Sequence, residues 1–477
     1  MSQLSRREML AKMGFALGAG VVATSTSCTS AGEPEPQKPQ RPNIIFILTD
    51  DLGYGDLGCY GQDRIKTPNL DRMAAEGMRF TQAYAGSTVC APSRCVLMTG
   101  LHTGHARIRG NGGIPLEPGD ITVAELLNQA GYRTGLVGKW GCGREDSTGI
   151  PNRQGFDDFF GYLHQGRAHN YYPEFVWKNE EKYLLNNVDK EKPFGVSEKK
   201  VQYSHDLFTK DAHAFLERNK DNPFFLYLAY TIPHANNEAG KKGMEVPDYG
   251  IYAGEGWPDP QKGQAAMISR MDRDIGALMD TLRETGLAEN TLVLFSSDNG
   301  PHKEGGADPA FFNSSGPLRG YKRDLYEGGI RVPAMAWWPG TIEPGQVSDH
   351  VWAFWDFLPT ACELAGASTP AGLDGISFVP TLLGERAAGR PQRPHEYLYW
   401  EFHERGQAQA VRMGKWKGIR KDLKQNPDAP VELYNLDKDI HEDNNIADQH
   451  PDVVAQVRDC LGRARTPDER WKLEGAL

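Results

Sequence analysis

The chain has 477 residues, enough for one large domain and a smaller companion with an ample core, which excludes a small stapled scaffold. Lys plus Arg total 53 against 63 Asp plus Glu, a net charge of −10, so no global field draws nucleic acid, and any anionic ligand must be held by a local basic cluster. The 7 cysteines are scattered without paired metal-ligand spacing, which argues against a zinc site or a dense disulfide framework and leaves oxygen ligands for any metal.

At the N-terminus Ser5-Arg6-Arg7-Glu8-Met9-Leu10 resembles a twin-arginine export signal, followed by a mostly apolar stretch from Met13 to Ala23. That stretch is too short for a permanent membrane-spanning helix. Ser25-Thr26-Ser27-Cys28 reads either as a weak lipobox, which would make Cys28 a lipid anchor, or as the small residues of an ordinary cleavage site. A Pro- and Glu-rich segment from Gly32 to Pro42 would then be the tether. Residues 1–40 are thus expected to be signal and tether, with the mature protein exported to the periplasm or cell surface.

Ordered structure is expected from Asn43-Ile44-Ile45-Phe46-Ile47-Leu48, a continuous apolar run suited to a parallel strand buried on both faces, ending in Thr49-Asp50-Asp51. Ile121 to Gly131 reads as an amphipathic helix, and Arg133 to Gly138 as a strand. Phe224 to Ala229 is another apolar strand, delivering Pro233 and His234 at its end. A helix from Ala265 to Gly286 precedes the apolar strand Thr291-Leu292-Val293-Leu294-Phe295, which ends in Ser296-Ser297-Asp298-Asn299-Gly300. This alternation predicts an α/β fold with a large mixed, mainly parallel sheet and helices on both faces. Beyond Leu383 the composition shifts, and short strand-like pieces (396–402, 408–413, 416–419, 432–435) lead to a charged helix from Pro451 to Arg463. The expected domains are a main α/β domain at 41–385 and an α+β subdomain at 386–477, a small antiparallel sheet plus one helix.

Ligands of open α/β sheets collect at the carboxyl ends of parallel strands, so the two strand-end clusters are expected to converge. An isolated pair of aspartates reads most simply as a helix cap or a solvated loop. Here both pairs follow fully apolar strands, and Asp50, Asp51, Asp298 and Asn299 would provide hard oxygen ligands suited to calcium or magnesium. Two buried acids side by side need such a cation, since otherwise one would protonate. Cys90-Ala91-Pro92-Ser93-Arg94 runs on towards Gly100 as a helix with Pro in its first turn, which puts position 90 at the positive end of a helix dipole.

That C-x-P-S-R run resembles the maturation motif of the type I sulfatases of the alkaline phosphatase superfamily. Gly131-Tyr132-Arg133-Thr134-Gly135-Leu136-Val137-Gly138-Lys139-Trp140-Gly141 resembles that family's second motif. The strand-end aspartates, His234 in Thr231-Ile232-Pro233-His234, and Lys322 four residues before Tyr326-Glu327-Gly328-Gly329 also match. The resemblance covers nearly all of Arg41 to Val454 and looks nearest to bacterial exported carbohydrate sulfatases. It implies an alkaline-phosphatase-like fold and oxidation of Cys90 to formylglycine (3-oxoalanine) by a maturase, which twin-arginine export of a folded chain would allow to happen in the cytoplasm. It also implies one Ca2+ held by Asp50, Asp51, Asp298, Asn299 and position 90. Arg94 would orient the formylglycine diol, Lys139 and Lys322 would clamp the sulfate, and His234 would protonate the leaving alkoxide. A diol hydroxyl would attack sulfur in line, and elimination would then expel sulfate and regenerate the aldehyde.

One departure is Gly141, where many members carry the His that accepts the diol proton; His102 and His105 are the candidates to replace it. The expected activity is hydrolysis of a sulfuric ester on a small sulfated saccharide or an aryl sulfate, with exo action on a sulfated galactose or N-acetylhexosamine preferred. Rival readings are a phosphonate monoester or phosphodiester hydrolase of the same superfamily and an inactive glycan-binding relative. Aromatic and polar loops suggest His105, His164, His169, His302, Trp400 and His403 as substrate contacts.

Overall fold

The computed structural model describes residues 41–190 and 195–477; the export-signal reading and Cys28 lie outside the described residues. Residues 41–477 form one compact unit. Its first strand, β1 (Asn43–Thr49), is wholly buried. Ile44, Phe46 and Leu48 enter one core cluster and Ile45 and Ile47 the other, which is why the run is apolar at every position rather than alternating.

In chain order there follow α1 (Pro68–Glu76), β2 (Met78–Tyr84), α2 (Cys90–Thr99), α3 (Val123–Gln129), β3 (Arg133–Lys139), β4 (Asp158–Tyr162), β5 (Phe175–Lys178) and β6 (Glu181–Leu184). Then come α4 (Ser204–Asn219), β7 (Phe224–Ala229), α5 (Asp259–Glu284), β8 (Thr291–Ser297), β9 (Arg331–Trp337), β10 (Gln346–Ser348), β11 (Trp352–Ala353) and α6 (Phe357–Ala365). They build an 11-stranded sheet in the order β10-β2-β9-β8-β1-β7-β3-β4-β5-β6, with β11 also on β2. Its centre, β8-β1-β7-β3-β4, is parallel, and antiparallel neighbours flank it. Apolar faces of α1, α4 and α5 cover one side, and those of α2, α3 and α6 the other.

The expected helix at 121–131 forms as α3, and Thr122 and Glu125 make a reciprocal capping box at its start. Beyond residue 385 the strands β12 (Leu398–Phe402), β13 (Ala408–Met413), β14 (Trp416–Lys421) and β15 (Glu432–Asn435) form a 4-stranded antiparallel sheet in sequence order. Its Tyr399, Val411 and Leu433 pack under α7 (Pro451–Arg463). Trp400, Phe402, Ala410 and Ile419 point the other way and join the main core, so this sheet is welded onto the large one by its second face.

Candidate active site

Register decides where the acids meet. β1 pairs with β8 so that Thr49 lies opposite Ser297, and the Asp298 N–H donates to the Thr49 carbonyl at 3.0 Å. Both strands therefore release their acids at one level of the sheet edge. Asp51 takes a left-handed turn at φ 67°, tolerable for an Asp, and its N–H donates to Asp298 Oδ1 at 3.2 Å. β3 ends at the same edge, its Gly138 opposite Ala229 of β7. A Cβ at Gly138, whose φ is 110°, would fall 2.0 Å from the Ala229 carbonyl oxygen, so the close approach that delivers Lys139 requires glycine.

Position 90 begins α2 and is buried. Pro92 costs nothing there, since first-turn N–H groups lack helical partners. The Ala91 N–H donates to Asn111 Oδ1 at 3.2 Å instead, and Gly100 closes the helix at φ 69°. One turn after Cys90, Arg94 donates through Nε and Nη2 to Asp298 Oδ2 at 3.0 and 2.8 Å, and through Nη1 to the Lys139 carbonyl at 2.7 Å. Lys139 Nζ donates to Asp50 Oδ2 at 2.6 Å, and Lys322 Nζ to Asp51 Oδ2 at 2.7 Å. His234 Nδ1 lies 2.6 Å from the Ala235 carbonyl, which only accepts, so this nitrogen carries the proton. Its Nε2 then accepts from Lys322 at 3.0 Å and lies 3.4 Å from Asp51 Oδ2. The sequence-predicted set Asp50, Asp51, Cys90, Arg94, Lys139, His234, Asp298, Asn299 and Lys322 is thus one buried cluster.

Burial opposes charge on every member, and the neighbours decide the outcome. Asp50 is held well below the usual carboxylate range, because Lys139, His234, Arg94 and Lys322 outweigh its desolvation. Burial and the negative charge of Asp50 push Asp298 up to about 7 despite Arg94. Lys139 and Lys322 go up, since Asp50 and Asp51 overcome the burial penalty. Burial pushes the Cys90 thiol up to about 12, and burial together with Lys322 holds His234 well below its ordinary value.

The residues fit a hard metal ion. Asp50 Oδ1 and Asn299 Oδ1 are buried without any hydrogen-bond partner, a costly condition that cation coordination would relieve. One ligand atom each from Asp50, Asp51, Cys90 and His234 lie within 4.8 Å of one another. The donors are mostly oxygen, as calcium or magnesium prefers.

Other expectations need correction. α2 has 10 residues and so spans about 15 Å, which puts His102 and His105 at the end remote from position 90. There the two rings stack and engage Asp374, away from the space beside Gly141 that they were expected to serve. Trp400 is fully buried, its indole N–H donating to the Ala85 carbonyl at 2.9 Å, and offers no stacking face. His403 turns to Glu401 at 3.0 Å beside Trp471. His302 is buried behind His234, with ring centroids 5.9 Å apart and both ring nitrogens engaged by backbone groups. His169 stacks on His234 at 4.7 Å, and its Nδ1 meets Glu238 at 3.2 Å. His164 lines a cavity of about 50 Å³ with Ala91, Gly141 and Gln165.

Gly141 has a structural cause as well. Its φ is 82°, and a Cβ there would meet Gln165 Nε2 at 2.2 Å and Arg94 Cδ at 3.5 Å, so a carboxamide fills the space where an imidazole was expected. Sequence reasoning missed Asn111, Arg323 and Glu404. Arg323 pairs with Glu304 at 2.5 Å next to Lys322, and Glu404 Oε1 accepts from the Asn111 N–H at 3.3 Å. No motif marks these positions, although Arg323 adjoins a predicted one.

Residues 42–367 match the family model described as Sulfatase, and residues 320–466 match that of the N-sulphoglucosamine sulphohydrolase C-terminal region. The chain is 35% identical to human Arylsulfatase A over 87% of this chain and 86% of that protein. It is 30% identical to N-acetylgalactosamine-6-O-sulfatase of Bacteroides thetaiotaomicron over 93% of this chain and 97% of the relative. Among solved structures, Ps i-CgsB in complex with k-i-k-neocarrahexaose superposes with a TM-score of 0.74 at 29% identity, covering 88% of this chain and 92% of that one. With that match over most of its length and the strand-end acids, Cys90 helix and basic clamp gathered at one sheet edge, the chain belongs to the sulfatase family, the hydrolases of sulfate esters.

Proposed function

We propose that this chain is an exported, calcium- and formylglycine-dependent sulfatase that removes sulfate from a small sulfated saccharide, by exo action on a sulfated galactose or N-acetylhexosamine. The observation that carries the reading is the buried meeting of Asp50, Asp51, Asp298 and Asn299 with Cys90, Arg94, Lys139 and Lys322. Similarity to an N-acetylgalactosamine-6-O-sulfatase supports the carbohydrate substrate, and the twin-arginine-like run supports export.

Asp50, Asp51, Asp298 and Asn299 would hold the calcium ion, with position 90 completing the set. When present, the ion supplies Lewis-acid stabilisation of the sulfate, and formylglycine made from Cys90 by a maturase supplies a nucleophilic hydroxyl. An ammonium group has three N–H donors, so Lys139 and Lys322, each tied to one aspartate, retain donors for sulfate oxygens. Arg94, fixed by Asp298 and the Lys139 carbonyl, orients the side chain one turn before it and adds to the positive field. The Ala235 carbonyl fixes the Nδ1–H tautomer of His234 and so aims the Nε2 lone pair at the cluster beside Lys322; Nε2 would have to take up a proton, forming imidazolium, before passing one to the leaving oxygen.

The test is co-expression with a formylglycine-generating maturase, followed by mass spectrometry of the Cys90 peptide and turnover of aryl sulfate, phosphonate and phosphodiester substrates. An aldehyde at position 90 and a preference for sulfate are expected, and Cys90→Ala should lose roughly a thousandfold or more in activity. An unmodified thiol in active protein, or a fully active Cys90→Ala, overturns the mechanism. Faster phosphonate or phosphodiester turnover would favour the rival hydrolase.

A further inference from the structure

Around the buried cluster runs a belt of partly exposed polar side chains that the sulfate chemistry does not use. It starts beside the nucleophile position, where the Ala91 N–H is held by Asn111 Oδ1 at 3.2 Å. The Asn111 N–H donates to Glu404 Oε1 at 3.3 Å, and Glu404 Oε2 lies 3.9 Å from Arg323 Nε. Arg323 pairs with Glu304, which also lies 3.6 Å from Lys322 Nζ. Glu304 is near enough to Glu238 to repel its charge. Glu238 holds His169, which stacks on His234 and closes the belt.

These groups are neither core nor free surface. The side chains of Arg323, Glu304, Glu404, His169 and Glu238 keep 18%, 19%, 34%, 16% and 32% of their area exposed. Arg323 is built in place: its backbone sits at φ 79°, rare for a side chain of this size, and its N–H is gripped by the Thr88 carbonyl and hydroxyl at 3.0 and 2.9 Å. Glu304 and Glu404 face Arg323 and Glu238 faces His169, so three carboxylates stand on the belt against the fixed charges of Arg323 and Lys303. The Lys303 ammonium lies over the Tyr321 ring at 3.8 Å and keeps its charge, so carboxylates outnumber these two fixed cations by one.

In the inner pocket Arg94, Lys139 and Lys322 are balanced against Asp298, Asp50 and Asp51, and the proposed ion would make it positive, whereas carboxylates predominate on the belt. On the sulfatase reading above, the buried Lys139 and Lys322 serve a single sulfate. Outside it, carboxylates accept charge-assisted hydrogen bonds from sugar hydroxyls but repel any further anion. Building on the sulfatase reading above, we infer that the Glu404–Arg323–Glu304–Glu238 belt selects saccharides bearing one sulfate and otherwise uncharged, and discriminates against a second sulfate or a uronate next to the reacting sugar. Glu404 lies just past β12, so the C-terminal sheet supplies one wall of the specificity site.

The test compares kcat/KM of the matured full-length enzyme on a monosulfated galactoside, on the same sugar joined to a uronic acid, on its disulfated form, and on p-nitrophenyl sulfate. Wild type is expected to favour the monosulfated neutral sugar by at least about tenfold over either dianion. Glu404→Gln and Glu238→Gln should each lower turnover of the neutral sugar by roughly three- to tenfold and narrow its preference over the dianions. On p-nitrophenyl sulfate, which has no hydroxyls for the belt, these variants should lose less than about threefold. Arg323→Lys keeps the charge but not the fork, and should lose more on the sugar than on the aryl ester. A wild type that prefers a dianion, or variants that lose equally on all four substrates, would overturn the inference while leaving the sulfatase reading intact. Failure of wild type on p-nitrophenyl sulfate and both sugar classes would take both down.

Discussion

Two regions of this molecule bury many charges, and they arrange them differently. At the seam between the large sheet and the C-terminal sheet, Lys417 Nζ donates to Glu327 Oε1 at 2.8 Å, and Glu327 also takes the Tyr84 hydroxyl at 2.5 Å and lies 3.4 Å from Arg331. Nearby, Glu401 receives Arg109 and Arg465, each at 2.9 Å, and His403 at 3.0 Å. Despite burial, the cations of each group hold Glu327 and Glu401 at about 2. The active cluster has the same kinds of residue, yet it leaves Asp298 at about 7 and the Oδ1 atoms of Asp50 and Asn299 unpartnered. The seam is not fully closed either, since Glu442 beside Lys417 is pushed up to about 8 with its Oε1 unpartnered; what sets the active cluster apart is that its open Asp50 and Asn299 oxygens gather with Lys and Arg N–H donors around position 90.

That contrast can be broken by experiment. The largest effect should come from stripping divalent cations: with a chelator, sulfate ester turnover should fall at least about a thousandfold, or ~4 kcal/mol, and calcium should restore it. Turnover that persists under chelation would mean the orphaned oxygens are not metal ligands. Lys417→Ala should do the reverse, costing about 3–5 kcal/mol in denaturant unfolding because it strands Glu327 in the interior. Its kcat/KM per folded molecule should stay within about threefold, and a large catalytic loss would show that the seam and site are not separate.

The third effect is smaller and depends on pH. Glu401 is depressed from 4.5 to about 2, since the hydrogen bond from His403 and the charges of Arg109 and Arg465 outweigh burial. The unfolded chain therefore binds the proton more readily. The stabilisation, about 3 kcal/mol, is complete above about pH 4.5 and fades as the pH falls towards 2. Glu401→Gln should flatten that acid limb of the unfolding curve, and an unchanged limb would assign it to other carboxylates such as Glu327.

Much of the site was written in short stretches of sequence because its causes are local. A short apolar run such as Ile44 to Leu48 suits a strand buried on both faces, and such strands end at the edge where ligands collect, so Asp50, Asp51, Asp298 and Asn299 were legible together. Cys90 at a helix start was legible from Pro92 and Gly100. Trp400 misled, because an aromatic residue in a polar neighbourhood gives no sign of which face of β12 it takes, and that face packs on the main core. His102 and His105 misled because nearness in sequence to Cys90 is undone by the length of the helix between.

By itself the sequence determined four of the central parallel strands, those that begin at Asn43, Arg133, Phe224 and Thr291, the short strands of the C-terminal sheet, the helix at position 90, and the residue types that a sulfate and a hard cation require. Only the tertiary structure decided that Gln165 occupies the space beside Gly141, and that Asn111, Glu238, Glu304, Arg323 and Glu404 make one rim. Strand and helix patterns follow from neighbours a few residues apart, but the rim joins loops more than a hundred residues distant, and their meeting depends on sheet register and on how the C-terminal sheet docks.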